Sequence, residues 1–95
     1  MSEWPFTSPP NLGVITLNDI VQETAPILQV SHDADDGAWQ FLGSGSPNWE
    51  ETTVVRLQRV VAIDPTLNEL ADLPLGWRAW RRAKSEPWVR EPMAA

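Results

Sequence analysis

The residues with the clearest chemical potential form one short stretch, in which the single histidine, His32, stands directly before an acidic cluster. Asp33, Asp35 and Asp36 follow it, and Gly37 closes the cluster. An imidazole beside carboxylates could act as half of a general acid–base pair. Three carboxylates could also supply oxygen ligands to a hard cation such as Ca²⁺. These are the two chemistries that the stretch could support.

Neither chemistry finds the further residues that it needs. The spacing departs from that of an EF-hand loop, because Gly37 comes one position early and Ser44 stands where the bidentate acid belongs. The chain has no cysteine, no second histidine and no Gly-x-Ser-x-Gly motif to supply a nucleophile. Phosphate-binding and dinucleotide-binding motifs are also missing. We therefore predict a protein that is not an enzyme, with no catalytic residues, no metal site and no cofactor.

Charge is distributed unevenly along the chain. The net charge is −6, and residues 1–55 carry eight carboxylates but no Lys or Arg. Such a surface repels nucleic acid and attracts a basic protein surface. The sequence therefore predicts a protein partner with a basic surface, and neither a nucleic-acid nor a membrane partner. The lack of cysteine, of a signal-peptide pattern and of a membrane-length apolar run predicts a cytoplasmic protein.

The basic residues all lie in the second part of the chain, and several follow one another in Trp77-Arg78-Ala79-Trp80-Arg81-Arg82. Arginines interleaved with aromatic rings could stack bases and contact phosphates. The acidic character of the whole chain disfavours that role. We expect Arg78, Arg81 or Arg82 to contact the acidic cluster instead.

Six tryptophans in 95 residues are far more than a domain of this size ordinarily has. A tryptophan buries roughly 200 Å², so most of them are predicted to lie in the core. Trp49 is the exception, because it stands in a polar loop and could anchor an interface. The predicted partner-binding surface comprises Asp33, Asp35, Asp36, Trp49, Glu50 and Glu51. The alternative is a small-molecule or peptide-binding domain with an aromatic cleft formed by Trp77, Trp80 and Trp88.

These residues must be positioned by a small α+β domain. We predict an antiparallel sheet of about three strands with two or three short helices packed on one face. Residues 27–32 and 38–42 alternate apolar and polar side chains on either side of an Asp-Gly turn, which indicates a β-hairpin. Residues 77–82 alternate strictly and predict a third strand, antiparallel to the hairpin. A last extended piece is expected at residues 87–89.

The helices are predicted around this sheet. One begins with Thr16 as its cap and ends before Pro26. A second covers residues 56–63, where apolar residues recur at helical spacing although valines favour a strand. A third, residues 66–71, is capped by Asp64. Residues 1–13 are expected to form an extended arm anchored by Trp4 and Phe6, residues 14–91 one domain, and residues 92–95 a frayed end.

Three motifs resemble a family of small bacterial proteins. They are Asp35-Asp36-Gly37-x-Trp39-Gln40-Phe41-Leu42, then Asp64-Pro65-Thr66-Leu67, then Leu73-Pro74-x-Gly76-Trp77-x-Ala79-x-Arg81. Together they are similar to a domain-of-unknown-function family, some members of which are assigned by genomic context as immunity proteins of polymorphic toxin systems. The match covers residues 26–82, and Ala38 is an addition to the family's hairpin pattern. The resemblance implies structural rather than catalytic motifs, and a domain that inhibits a bacterial toxin by binding it.

Overall fold

The computed structural model describes residues 4–93, which form a six-stranded mixed sheet with short helices. The strands are β1 (Gly13–Leu17), β2 (Gln29–His32), β3 (Trp39–Leu42), β4 (Thr52–Arg56), β5 (Trp77–Trp80) and β6 (Val89–Pro92). The α-helices are α1 (Asn18–Val21) and α2 (Leu57–Ile63), and the 3₁₀ helices are η1 (Trp49–Glu51) and η2 (Pro65–Leu70). The predicted α+β class is confirmed, but three strands understate the sheet.

The strand order is β4-β1-β3-β2-β5-β6, and every neighbouring pair is antiparallel except β1 with β3. The predicted hairpin is β2–β3, with His32 opposite Trp39 across the turn. The predicted third strand is β5, which pairs antiparallel with β2. Helix 56–63 is confirmed as α2, and the predicted helix 66–71 is present as η2, capped by Asp64 through its bond to the Thr66 amide. The turn residues and the helix cap therefore predicted the hairpin and η2 correctly.

The predicted helix at Thr16 is wrong. Thr16 lies in β1, fully buried, and its Oγ1 donates to the Phe41 carbonyl at 2.8 Å. Only one helical turn, α1, follows before the chain turns at Glu23, which has a positive φ of 60°. The β-branched run Val14-Ile15-Thr16 suits a strand between two neighbours better than a helix. Gly13, expected at the end of the arm, therefore begins a strand.

Two further strands lie where the sequence was ambiguous or silent. Residues 52–56 form the edge strand β4, and α2 begins directly after it. Of the segment 54–63, which could be strand or helix from its sequence, the two valines at its start therefore lie in a strand, as β-branched residues favour. The extended piece expected at 87–89 lies further along, as β6. Its pairing includes Pro92, and the Met93 amide donates to the Gly76 carbonyl at 2.8 Å. The predicted fraying is thus not seen at residues 92 and 93, while residues 94 and 95 lie outside the described residues.

The helices and the arm cover one face of the sheet. The core side chains come from both layers: Phe6, Val14, Ile20, Ile27, Val30, Trp39, Phe41, Leu57, Val60, Val61, Leu67, Leu70, Leu73 and Ala79. The predicted anchors of the arm are in place, because Phe6 is buried edge-on against Trp39 at 5.4 Å and Trp4 lies 5.3 Å from Phe6. The alternate strand residues face away from the helices and leave the other sheet face open. None of the helices within residues 4–93 is long and apolar enough to cross a membrane.

Candidate protein-binding surface

The acidic cluster is the turn between β2 and β3, and hydrogen bonds fix its shape. The Asp33 amide donates to the Ala38 carbonyl at 2.8 Å, and the Gly37 amide donates to the Asp33 carbonyl at 3.0 Å. The Oδ1 atom of Asp36 accepts from the Ala38 amide at 2.9 Å. Gly37 has a φ of 72°, the left-handed conformation that glycine adopts readily. The turn is therefore a preorganised loop.

A second turn, Leu73–Trp77, is joined to the first. The Gly76 amide donates to the His32 carbonyl at 2.7 Å, and His32 Nδ1 donates to the Leu73 carbonyl at 2.8 Å. The His32 ring also stacks on Trp39 with a centroid distance of 3.9 Å. The ring face and Nδ1 are thus engaged in structure, and His32 joins the two turns.

The second turn adds an apolar side chain to the acidic one. Leu75 is 56% exposed, and a Cβ placed on Gly37 would lie 4.0 Å from its Cδ2 atom. Asp35 and Asp36 are exposed beside it, and Asp33 is half-buried. No ion pair within residues 4–93 includes any of these three carboxylates. We call Asp33, Asp35, Asp36 and Leu75 the acidic platform.

The other predicted contact residues lie at the opposite end of the sheet. The platform follows His32, at the end where Trp39 begins β3. Because β1 runs parallel to β3 and pairs with Thr52 through Leu17, the turn η1 lies at the Leu42 end. There Trp49 is 59% exposed, and Glu50 and Glu51 are exposed beside it. The structure therefore divides the predicted surface into two separate groups, each of three residues.

The arginines do not contact the acidic turn as expected. Arg78 pairs with Glu91 on the neighbouring strand at 2.6 Å. Arg81 pairs with Asp64, and both side chains are almost completely buried. Arg82 is exposed and belongs to no ion pair within the described part of the chain. Strand pairing explains the difference for Arg78, because its register places Glu91 directly opposite.

The buried ion pair belongs to a network that closes the core beneath η2. Thr66 donates its hydroxyl to Asp64 at 2.7 Å and accepts from Arg81 at 3.1 Å and from the Trp88 indole at 3.3 Å. Burial raises the pKa of the Asp64 carboxyl, but hydrogen bonds from Thr66 and Arg81 and the charge of the guanidinium outweigh it. The pKa therefore lies below the ordinary 3.8. The charged motif residues Asp64 and Arg81 thus hold structure together.

The three tryptophans of the predicted aromatic cleft do not share a face. Trp77 packs against the core, and Trp88 lies over Arg81 on the same side of the sheet. Trp80 points to the open face, since it alternates with buried Ala79. There it lines a shallow depression of about 630 Å³ with Gln29, Arg78, Arg82 and the Ser44–Ser46 loop. Of these three tryptophans, only Trp80 could stack on a ligand at the open face.

Sequence reasoning missed two exposed aliphatic side chains. Leu75 is only an unspecified position in the third motif, and Val54, which is 68% exposed, was assigned to neither a strand nor a site. Their exposure depends on which strands become edges and which turns meet, and these are long-range outcomes. Within residues 4–93 no group of three or more His, Asp or Glu side chains is arranged to hold a metal ion.

Comparison with known proteins adds no relative to this description. No family model matches the chain, and no match was found among curated proteins or among solved structures.

Proposed function

We propose that this chain is a non-enzymatic protein-binding module, an immunity-type inhibitor that occludes a basic bacterial toxin with its acidic platform. The observation that carries the proposal is the exposed Leu75 side chain beside a hydrogen-bonded turn whose three carboxylates belong to no ion pair within residues 4–93. An apolar centre with charged surroundings is the usual anatomy of a protein interface. Of the two groups into which the structure divides the predicted surface, we assign partner binding to the platform.

The two components of the platform would act at different stages of binding. Asp35 and Asp36, which are exposed and belong to no ion pair within residues 4–93, would accelerate encounter with a basic surface and orient it. The exposed part of Leu75 would then be buried, which stabilises a complex by about 1–2 kcal/mol. The hydrogen bonds that fix both turns reduce the entropy lost on binding. The platform needs no conformational change to act.

The test is to identify the genes beside this one and to coexpress this chain with a toxin domain found there, with growth as the readout and calorimetry on the purified pair; a neighbourhood without a toxin gene counts against the proposal. Wild type should protect growth, and Leu75→Glu should weaken binding by roughly tenfold or more. Val89→Glu is the matched control, because Val89 is also exposed, at 43%, but lies on β6. Affinity should fall as salt is raised. Protection that survives Leu75→Glu and Asp35→Lys together would refute the platform.

A second candidate function rests on the Trp80 depression. Trp80 there is flanked by Arg82 and by the Arg78–Glu91 ion pair, and the Ser44–Ser46 loop forms one wall. Arg82, which belongs to no ion pair within residues 4–93, suits a small anionic molecule or an acidic peptide segment that stacks on the indole. Titration with mononucleotides and with acidic peptides should then quench the total tryptophan fluorescence of wild type more than that of Trp80→Leu. Equal quenching in both proteins would exclude this candidate.

A further inference from the structure

The two edges of the sheet are unequally protected. The β6 edge carries charged Arg90 and Glu91 and ends in Pro92, which cannot donate a ladder hydrogen bond. The β4 edge, Thr52-Thr53-Val54-Val55-Arg56, has no proline and only one charge, at its end. Its β-branched residues favour strand pairing. Val54, which is 68% exposed, is more exposed than Trp49, Leu75 and Val89. The β4 edge is therefore open to another strand.

The β4 backbone groups that face outward follow from its pairing with β1. The Leu57 amide donates to the Leu12 carbonyl at 2.8 Å, next to the Gly13–Arg56 pair. Since hydrogen-bonded pairs alternate along an antiparallel ladder, Val55 and Thr53 bond to β1. Thr52, Val54 and Arg56 then face away from β1. The Thr52 amide already donates to the Trp49 carbonyl, and Arg56 caps α2 with its carbonyl, so the groups open to another strand are the amide and carbonyl of Val54, the Thr52 carbonyl and the Arg56 amide.

The charges at the two ends of β4 are opposite. Glu50 and Glu51 precede the strand in η1, and Arg56 and Arg59 lie at its other end. All four side chains are exposed, and none belongs to an ion pair within residues 4–93. An antiparallel neighbour of the same sequence would bring the acidic end of each copy against the basic end of the other. The edge is therefore complementary to itself.

A depression beside β4 on the helix side supplies the remaining apolar surface. It has a volume of about 650 Å³ and is lined by Val21, Val55, Arg56, Gln58, Arg59 and Ala62. A strand added to β4 would direct alternate side chains to this side and to the open face, where Val54 stands. In a second copy, these would be Thr53 and Val55 on one side and Val54 on the other. The same surface would be buried twice around a two-fold axis.

We infer that two copies of this chain pair antiparallel through β4, with the two-fold axis at Val54, to form one continuous twelve-stranded sheet. The register places Thr52 of each copy opposite Arg56 of the other, so that each Val54 bonds to its counterpart and each Arg56 amide donates to a Thr52 carbonyl. It also sets the η1 turn of one copy, with exposed Trp49, beside the N-terminal turn of α2 in the other. Trp49, Glu50 and Glu51, which lie far from the acidic platform, thereby have a role in self-association.

The first experiment measures molecular mass against concentration by sedimentation equilibrium, using the full chain. Wild type should be dimeric, and Val54→Lys should raise the dimer dissociation constant roughly tenfold or more, because a lysine on an edge strand opposes pairing. Val89→Lys on the β6 edge is the matched control and should dimerise as wild type does. Circular dichroism shows whether each variant is folded. A monomeric wild type at millimolar concentration, or a Val54→Lys chain that dimerises unchanged, would overturn the inference.

A charge-swap experiment tests whether the charged ends of β4 in one copy contact those of the other copy. One chain carries Arg56→Glu and Arg59→Glu, so both ends of its β4 are acidic, and the other carries Glu50→Lys and Glu51→Lys, so both ends are basic. Each chain alone should be monomeric through like-charge repulsion, and an equimolar mixture should form heterodimers. Failure of the mixture to associate, with both chains folded and wild type dimeric, would exclude antiparallel pairing through β4.

Discussion

Arg81 lies with its guanidinium carbon 4.0 Å from the ring centroid of Trp88, and each of its five N–H groups has a hydrogen-bond acceptor. The acceptors are the Ile27 carbonyl, which takes two bonds, the Lys84 carbonyl, the Thr66 hydroxyl and the Asp64 carboxylate. The cation ties the segment before β2, η2 and the β5–β6 connection together. A buried arginine with every donor satisfied is a structural element, and its removal should affect the whole domain.

Removing one partner of this pair should be strongly destabilising. Arg81→Met leaves Asp64 buried without its counter-ion, so the free energy of unfolding should fall by about 3–5 kcal/mol. The double variant Arg81→Met/Asp64→Leu removes both charges and should recover part of that loss. Arg78→Met, at an exposed ion pair, should change stability by less than about 1 kcal/mol. Urea denaturation of the four proteins gives the comparison, and equal losses for Arg81 and Arg78 would contradict it.

The same pair predicts a pH dependence of stability. Because the pKa of Asp64 is lower in the folded chain than its ordinary 3.8, its contribution is present in full above that value and is lost as the pH falls through the folded pKa. Asp64→Asn should therefore be less stable than wild type at neutral pH and should lose less stability on acidification. Asp72, whose pKa the hydrogen bond from Arg90 lowers, is an exposed control. Because solvent screens the exposed Asp72–Arg90 pair, denaturation curves between pH 2 and 7 should show a smaller change of slope for Asp72→Asn than for Asp64→Asn, and equal changes would contradict the prediction.

The parts of the fold that sequence predicted are those fixed by neighbouring residues. Trp39 and Phe41 alternate with polar residues beside an Asp-Gly turn, and Asp64 precedes Pro65 at a helix start, so local chemistry determines both. Thr16 shows the limit, because its hydroxyl could cap a helix but its burial against Phe41 is set by a strand 25 residues away. Both a helix cap and a strand were acceptable for Thr16 locally, and the pairing of β1 with β3 and β4 selected the strand.

The candidate site shows the same division between local and long-range information. Sequence predicted the exposed carboxylates Asp35 and Asp36, because an acidic tight turn needs solvent wherever it lies. It predicted that residues 77–82 pair with the hairpin but not with which of its strands, and Leu75 lies beside the turn because β5 pairs with β2. It also grouped Trp49 with the acidic turn, whereas the parallel pairing of β1 with β3 places the two at opposite ends of the sheet.

Gly76 should be a sensitive position at the acidic platform. Its φ of 81° is unfavourable for any residue with a Cβ, and Gly76→Ala should lower stability by about 1–2 kcal/mol. Space is not the cause, since the added Cβ would meet Ala34 at an ordinary 3.6 Å. Gly45→Ala is the control for strain alone, because Gly45 has a φ of 71° and nothing within 4 Å. If only Gly76→Ala weakens partner binding as well, the joined turns position Leu75. A fully stable Gly76→Ala would contradict the conformation described.

Trp49 should dominate the solvent-exposed fluorescence of the monomer. Its side chain is 59% exposed, whereas Trp39 is 2% exposed, so the two indoles lie in very different surroundings. Trp49→Phe should shift the emission maximum of dilute protein to shorter wavelength and reduce quenching by acrylamide. Trp39→Phe, which changes a buried ring stacked on His32, should shift the emission the other way and lower stability. If Trp49→Phe leaves both the maximum and the quenching unchanged, Trp49 is not the exposed aromatic residue that self-association requires.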